Sequence, residues 1–329
     1  MLDIQVHHMY ERYKKNYAIK SEFLVEDIEG HLSFVQKMWT DEIIENAIFS
    51  RSIGYRSSWN ISNLLEWPQA HSQFLLAYSS QLGYQGFHIV SSRTNKTVVT
   101  LGNLELEFVP KGLSAGLWDW LNAISSCALL RRHSAVEELC QVNPEAMNRT
   151  YDTPYREMQD AYYQVFRLYY LNEQNPENRE NALARVRDML EPGLINQRCG
   201  GVPEERIHTL ATPLYHLVEA IWRDDHTAIE AAIIKAMEAN YHYFAYVYPS
   251  PGDKTGPESH GLGDPDAIIH DKIMAIVAVY LDRTGRKLSF ETRYMPSWVL
   301  NNEGPSYEEI MANPPEFDLD RLLENKLNS

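Results

Sequence analysis

The strongest constraint on the fold is a helical spacing of apolar residues that recurs along the chain. In residues 214–222 the apolar side chains stand at i, i+3, i+4, i+7 and i+8, which is the pattern of one helix face. The polar stretch RDDH interrupts this pattern, and the same spacing resumes over residues 229–244. Two such stripes joined by a short polar turn predict an antiparallel helical hairpin.

Two earlier stretches repeat the arrangement. Residues 117–128 and 135–140 flank the break RRHS, and residues 158–169 and 182–190 flank the break NEQNPEN. The breaks recur about every 40 to 50 residues, a spacing typical of stacked helix pairs. A last helix is expected over residues 266–281. The sequence therefore predicts a mainly α fold of stacked antiparallel helical hairpins, solenoid-like in their order.

One stretch departs from the helical pattern and predicts a small antiparallel β insertion. It is YQGFHIVSSRTNKTVVTLGNLELEFV, which is rich in β-branched residues, alternates in polarity and carries the turn signals TNK and LGN. The expected organisation has four parts: an N-terminal helical region (1–83), a β-hairpin insertion (84–112), a helical-repeat domain (113–300) and an acidic C-terminal tail (301–329). Whether the first part forms a separate domain stays open.

The charge of the chain limits its partners. The formal net charge is −15, and nucleic-acid binding needs a basic surface, so no nucleic acid is expected as a partner. Residues 204–271 hold twelve acids and four bases, and residues 303–329 hold seven acids and two bases. Such runs form either a solvated surface or a surface that attracts a basic partner.

Targeting signals and cysteines point to the cytoplasm. The start MLDIQVHHMYERYKK is polar where a signal peptide would be apolar. The longest apolar run, residues 273–281, is too short to span a bilayer, so no membrane is expected as a partner. Cys127, Cys140 and Cys199 are odd in number and have no CxxC spacing, which favours reduced thiols.

Motifs for catalysis are missing from the sequence: GxSxG, GxxxxGK[ST], GxGxxG and HExxH do not occur. The stretch PGDKTGPESHGLGDPDAIIHD (251–271) nevertheless holds five acids and two histidines. Its candidate metal ligands are His260, Asp264, Asp266, His270 and Asp271.

A connecting loop explains that stretch better than a metal site does. Its glycines and prolines disfavour regular structure, and the segment GDPD suits a helix start, with Asp264 as N-cap and Pro265 at the first position. We therefore predict no catalytic residue, no metal and no cofactor. As a long exposed loop, it is also a candidate for partner contact.

Aromatic residues supply a second candidate for binding. The segment NYHYFAYVY (240–248) holds five of them, and Tyr162, Tyr163, Tyr169 and Tyr170 add four on one predicted helix. Core packing is the expected role of most of these rings, but a helix with this many tyrosines is not expected to bury every one. Exposed tyrosines beside acids are typical of a protein-binding surface.

Three segments together resemble one protein family: LWDWLNAISSCALLRRHSAVEELCQV, LYHLVEAIWRDDHTAIEAAIIKAMEANYHYF and HDKIMAIVAVYLDRTGRKLSFETRYMPSWVL. Their order and spacing are similar to those of the immunity protein 49 family of bacterial polymorphic-toxin systems, over about residues 110–300. The resemblance implies a cytoplasmic helical protein that binds a cognate secreted toxin. It carries over no catalytic residues.

Three functional hypotheses follow. The first is an immunity protein, not an enzyme, that neutralises a basic toxin by stoichiometric occlusion. The second is a helical-repeat scaffold for a cellular protein or peptide, and the third is an enzyme built on His260, His270 and nearby aspartates. For the first, the candidate toxin-binding residues are Asp224, Asp225 and Glu230 at a hairpin turn, with Asp253, Glu258, Asp264 and Asp266 in the long loop. The oligomeric state stays open.

Overall fold

The computed structural model describes residues 2–15, 59–60, 63–65, 69–92, 97–101, 104–108, 116–144, 147, 153–199 and 204–312. This part of the chain is mainly helical, as predicted. Its first helices are α1 (Tyr10–Lys15), α2 (Gln69–Ser92), α3 (Leu117–Leu129), α4 (His133–Cys140), α5 (Thr153–Tyr170) and α6 (Pro176–Met189). The later ones are α7 (Ile195–Arg198), α8 (Glu204–Arg206), α9 (Thr212–Arg223), α10 (His226–His242), α11 (Pro265–Ile268), α12 (Asp271–Thr284), α13 (Ser297–Leu300) and α14 (Tyr307–Met311).

The three predicted hairpins are present as α3 with α4, α5 with α6, and α9 with α10, and the two helices of each pair are in contact. Each polar break contains one non-glycine residue with a positive φ, Arg131 (54°), Asn172 (56°) or Asp224 (56°). A residue in this left-handed conformation ends a helix. Asn175 and Asp225 then cap the next helix by accepting a backbone N–H.

Two strands follow α2, β1 (Thr97–Leu101) and β2 (Leu104–Phe108), and they pair antiparallel. Helix α2 continues to Ser92, so residues 84–92, which we expected to be extended, are helical. The expectation was wrong there because α2 packs along α3, and tertiary packing overrides the weak strand preference of these residues.

The single helix predicted for residues 266–281 is two helices, α11 and α12. Between them Ile269 has an extended backbone (φ −124°, ψ 126°). The N–H of His270 donates to the carbonyl oxygen of Tyr294 at 3.0 Å. The prediction of one helix was wrong because this contact comes from a part of the chain that local spacing does not reveal.

The predicted helix start is confirmed, and a glycine ends the helix on the other side of this region. Asp264 Oδ1 accepts the N–H of Asp266 at 2.9 Å, and Pro265 is the first residue of α11. At the other end Gly285 takes a left-handed conformation (φ 66°) directly after α12.

Helix α12 lies at the centre of the described fold. Most of its residues are buried, and it contacts α3, α9, α10 and α13. The Tyr169 hydroxyl of α5 also donates to the carbonyl oxygen of Ile276 in α12 at 2.7 Å. Helix α12 follows the third hairpin, so its contact with α3 joins distant parts of the chain. The solenoid-like order, in which each unit contacts only its neighbours, stays a prediction.

The tyrosines of α5 depart from expectation, because all four rings are buried: Tyr162, Tyr163, Tyr169 and Tyr170. The prediction that some would be exposed was wrong because α5 is surrounded by α3, α4, α6, α7 and α9. The hydroxyls of Tyr162, Tyr163 and Tyr169 also find hydrogen-bond partners in neighbouring elements. A helix of this kind can therefore face the core on every side.

The N-terminal segment packs against the C-terminal part of the fold. His7 Nε2 donates to the carbonyl oxygen of Ile268 at 2.7 Å, and His8 Nε2 donates to that of Leu262 at 2.9 Å. The Tyr294 hydroxyl lies 2.8 Å from His8 Nδ1. These contacts fix the start of the chain beside α11.

The three cysteines, Cys127, Cys140 and Cys199, are free thiols, as predicted, and each is buried. In the expected tail, α14 packs against α2. Residues 16–58 of the N-terminal region and residues 313–329 of the tail lie outside the described residues. Among the helices that the structure describes, none has the length and apolar character needed to cross a membrane.

Candidate functional site

A half-open cavity of about 210 Å³ is the best candidate for a functional site. It lies where the start of α3, the α8–α9 connection, the end of α10 and the start of α12 meet. Its lining includes apolar rings and charged groups, among them Trp118, Arg206, Tyr243, Tyr248, Asp264 and Lys272. A cavity with aromatic walls and a few convergent polar groups is the usual form of a binding site.

Two π-helical turns line this cavity. The first π-turn, Ile207–Ala211, connects α8 to α9, and the second π-turn, Tyr243–Val247, continues α10. Thr209 and Leu210 of the first turn line the cavity, as do Tyr243 and Phe244 of the second. π-Helical turns are rare and occur frequently at functional sites. The presence of two π-turns at one cavity is therefore evidence for a functional site that does not depend on the shape of the cavity.

Several buried polar atoms around the cavity make no hydrogen bond. They are Trp118 Nε1, Arg206 Nε, Asn240 Oδ1 and one ring nitrogen of His270, whose other nitrogen is directed at the backbone of Ala267. Leaving a buried polar atom unpaired costs about 1–3 kcal/mol, so most proteins hold few such atoms. Their concentration at one cavity indicates a place where a binding partner supplies the missing contacts.

The charges of the cavity are balanced in part by internal ion pairs. Lys272 Nζ lies 3.2 Å from both carboxylate oxygens of Asp266 and 3.5 Å from Asp271 Oδ1. The Arg206 guanidinium lies 6.0 Å from the centre of the Trp118 ring. At this distance the cation and the ring attract each other weakly.

Burial controls protonation in this region. His270 is 1 % exposed, and burial, helped by His7 and His8, lowers its pKa to about 3. Burial also raises the pKa of Tyr243; the nearby Arg206 lowers it, and Tyr248 and Asp264 raise it. Both side chains are therefore uncharged near neutral pH.

The rim of the cavity is aromatic and acidic. Tyr246 and Tyr248 are 49 % and 43 % exposed, and among the described residues they are two of the three large apolar side chains with substantial exposure. Tyr248 also contacts the ring of His260 in the long loop. Ser259 Oγ of this loop donates to the carbonyl oxygen of Phe244 at 2.7 Å, which fixes the loop on the second π-turn.

The four loop acids of the sequence prediction surround this rim or line the cavity. Asp264 and Asp266 are lining residues. Asp253 and Glu258 are exposed in the loop, where Asp253 Oδ2 accepts the Ser250 N–H at 3.0 Å. The structure therefore brings these four carboxylates to the same end of α10.

The three acids of the hairpin turn lie elsewhere. Asp224 pairs with Arg286 at 2.8 Å, and Asp225 caps α10. Glu230 accepts both the N–H and the hydroxyl of Ser289 at 2.6 Å. Because α10 has 17 residues, its two ends are separated by about 25 Å at 1.5 Å per residue. The structure does not bring the two acidic groups together.

Nothing among the described residues forms a metal-binding cluster of histidine, cysteine and carboxylate side chains. Of the two histidines in the enzyme hypothesis, His260 has a largely exposed side chain and His270 is buried. Their environments give no support to a shared catalytic role.

Part of the cavity could not be predicted from the sequence. Trp118 and Arg206 carry no motif, and nothing in the sequence places them together. The useful indications were the aromatic segment at 240–248, which supplies Asn240, Tyr243 and Tyr248, and the loop at 251–271, which supplies Asp264, Asp266 and His270.

The comparison with protein families agrees with the architecture. A family model described as Immunity protein 49 (Imm49) matches residues 68–299. The match begins one residue before α2, about 40 residues before the resemblance noted in the sequence, and covers more than two thirds of the chain. No curated protein and no solved structure matches the chain. The chain belongs to the immunity protein 49 family.

Proposed function

We propose that this protein is a cytoplasmic immunity protein that neutralises a cognate secreted toxin by stoichiometric binding and occlusion. Family membership is the observation that carries the proposal. In this mechanism the immunity protein performs no chemistry and covers the toxin surface that does. Neither nucleic acid nor a membrane is needed as a partner.

The rim of the cavity is the part of the surface best suited to contact the toxin. Protein-binding hot spots are rich in tyrosine and lie beside pockets that an anchor residue can fill. Tyr248 supplies an exposed ring that lines the cavity, and Tyr246 of the second π-turn adds an exposed ring outside the lining. The acids Asp253 and Glu258 flank these rings on the long loop.

The charge of this end of the molecule favours a basic toxin. Residues 240–271 contain five acids and one base. Opposite charge on the partner speeds the encounter and orients it, mainly by raising the association rate. The turn acids Asp224, Asp225 and Glu230 stay candidates for a second contact, although each already has an internal role.

The proposed function is tested by a rescue assay. The gene next to that of this protein is expressed inducibly in a sensitive cell, alone or together with this protein. We expect the neighbour to kill alone, to be harmless when both are present, and to co-purify with this protein at a 1:1 ratio. A neighbour that is harmless alone, or that kills in both cases, would contradict the proposal and favour a scaffold for a cellular protein or peptide.

Reversing one loop charge is expected to weaken toxin binding in a salt-dependent manner. Glu258 is exposed and paired with Lys254, so Glu258→Lys removes an acid from the rim without opening the core. We expect the Kd to rise about three- to tenfold at low salt and less at high salt, because salt screens exposed charges. The measurement is the Kd at two or more salt concentrations.

The matched control is Glu180→Lys. Glu180 is similarly exposed, pairs with Arg187 on α6 and lies in neither acidic group. Both variants change the net charge equally, so an equal effect would show that only overall charge matters. An unchanged Kd for Glu258→Lys at every salt concentration would remove the loop from the interface.

A further inference from the structure

We propose that the cavity between the two π-turns binds the side-chain carboxamide of an asparagine or glutamine on the toxin. The identity of the partner rests on the proposed function. The carboxamide chemistry rests on which polar atoms around the cavity have no hydrogen-bond partner.

Two of these atoms are donors. Trp118 Nε1–H and Arg206 Nε–H are both buried, and neither donates a hydrogen bond. Each can only donate, so each needs an acceptor from outside the protein. A carbonyl oxygen has two lone pairs and can accept from both.

The acceptor side is provided by Asn240 and His270. Asn240 Nδ2 donates to the carbonyl oxygen of Asp266 at 3.2 Å, which assigns the amide orientation and leaves Oδ1 as an unpaired acceptor. The ring of His270 is buried and lines the cavity, and one of its nitrogens is directed at the backbone of Ala267. The other nitrogen of the neutral imidazole is an unpaired acceptor. The cavity walls therefore hold two unpaired acceptors and two unpaired donors.

This inventory matches a primary carboxamide, which has one oxygen with two lone pairs and two N–H donors. A guanidinium can only donate, so it would leave Trp118 and Arg206 without acceptors. A carboxylate can only accept, so it would leave Asn240 without a donor. A peptide group has one N–H and would satisfy one acceptor fewer.

Charge argues against an anionic ligand. The lining holds three carboxylates and two cations, so its formal net charge is −1: Asp264, Asp266 and Asp271 against Arg206 and Lys272. A cation is disfavoured by the hydrogen-bond inventory, because it cannot accept from Trp118 and Arg206, and a neutral group remains. The rim acids steer the toxin, and the cavity selects the residue that enters.

The cavity has the size and the opening for such a side chain. Its volume of about 210 Å³ exceeds the ~30 Å³ that a water molecule occupies in the liquid several times over. Tyr248 lines the cavity and is also exposed at its mouth. Rotamer changes of the kind common at interfaces would bring the buried donors to the ligand.

The first test is the affinity of Trp118→Phe for the toxin identified by rescue. This variant keeps an aromatic ring and removes the N–H that has no internal acceptor, together with part of the indole ring that Arg206 and Lys272 approach. The effect of the smaller ring alone is measured by a matched control. We expect the Kd to rise about tenfold, the range expected when a hydrogen bond in a buried site is lost. The matched control is Trp222→Phe, because Trp222 is also partly buried and has Arg179 5.7 Å from its ring centre, but does not line the cavity. Equal affinity of wild type and Trp118→Phe would overturn the proposal while leaving the rescue result intact.

The second test needs no toxin. The indole N–H signals of the ¹⁵N-labelled wild-type protein are followed by NMR during titration with acetamide, N-methylacetamide, guanidinium or acetate. We expect acetamide to shift the Trp118 signal most, assigned from Trp118→Phe, and the Trp222 signal to stay in place. A larger shift with N-methylacetamide would indicate a main-chain peptide instead, and a larger shift with guanidinium or acetate would indicate a charged side chain. Each of these results, or no shift with any probe, would overturn the carboxamide proposal even if the rescue assay succeeds.

Discussion

Replacing Gly261 by alanine is expected to lower the Tm by about 5 °C or more, through a loss of about 2–3 kcal/mol. Gly261 lies in the turn of the long loop that packs on the second π-turn. A Cβ atom there would stand 2.4 Å from the carbonyl oxygen of Phe244 and 2.7 Å from the Tyr248 ring. The first of these neighbours is backbone, so the loop itself must move away.

The same substitution should also weaken toxin neutralisation. Movement of the loop would disturb the hydrogen bond from Ser259 Oγ to the Phe244 carbonyl and the position of the exposed Tyr248 ring. Under the proposed function, that ring belongs to the binding surface. The measurement pairs thermal unfolding with the Kd for the toxin.

Gly263→Ala is the matched control two residues away. A Cβ atom at Gly263 would have no neighbour within 4 Å, so we expect a change within about 0.5 kcal/mol, as for most surface substitutions. If Gly261→Ala unfolds at the same temperature as Gly263→Ala, the close packing of the loop on the π-turn is contradicted.

The hairpins could be predicted from the sequence because their information is local. An apolar stripe with helical spacing and a polar break are both visible within about 30 residues, and the breaks did become turns. Asp264 could be assigned as a cap for the same reason, since a cap acts on the next few residues.

What could not be predicted depends on contacts between distant parts of the chain. The break between α11 and α12 is tied to Tyr294, and the burial of all four tyrosines on α5 depends on five surrounding helices. The π-turns at Ile207–Ala211 and Tyr243–Val247 were not predicted, because no motif in the sequence marks a turn with i→i+5 hydrogen bonds. Local spacing does not contain this information.

The candidate site likewise has a part that could be predicted from local sequence and a part that could not. Its acidic rim could be inferred from composition, because the acids of 253–266 are close together in the sequence. The cavity behind the rim is built from Trp118, Arg206, Asn240 and His270, which lie in four separate elements. Each is unremarkable alone, and only the fold shows that their unpaired atoms lie around one space.

Acidification from pH 7 to pH 5 is expected to destabilise the protein steeply through its buried histidines. His7, His8 and His270 lie with Tyr294 in one aromatic cluster that joins the start of the chain to α11 and α12. Burial lowers the pKa of His7 to about 3, with a further contribution from His8, and burial also lowers the pKa of His8. The pKa of His270 is lowered to about 3 as well.

Nearby charges modify these values without reversing them. Arg293 lowers the pKa of His7 further, and Asp266 raises that of His270 without offsetting burial. The hydrogen bonds from His7 Nε2 to Ile268 and from His8 Nε2 to Leu262 raise the pKa values of these rings without offsetting burial. On the other side of the ring, His7 Nδ1 accepts the Met9 N–H at 3.1 Å. A proton at this nitrogen would break that contact.

The direction of the pH dependence follows from proton binding. In the unfolded chain these histidines bind a proton below pH about 6.5, whereas in the folded protein His7 and His270 stay neutral down to about pH 3. Stability is therefore fully present above pH 6.5 and is lost as the pH falls toward 3. Each of the two contributes a slope of about 1.4 kcal/mol per pH unit, so together they remove about 3 kcal/mol per unit. Ordinary carboxylates titrate at about pH 4, which is mainly below the range from pH 7 to pH 5.

The measurement is the free energy of unfolding in urea at pH 7, 6 and 5, compared between the wild type and His270→Phe. The phenyl ring can keep the contact with Tyr294 but cannot bind a proton, so we expect the slope between pH 6 and 5 to fall by about 1.4 kcal/mol per unit. His216→Gln is the control, because the His216 side chain is exposed on α9 and solvent reaches it in both states. A stability that is flat from pH 7 to pH 5, or a His270→Phe slope equal to that of the wild type, would show that these histidines are not held neutral by the fold.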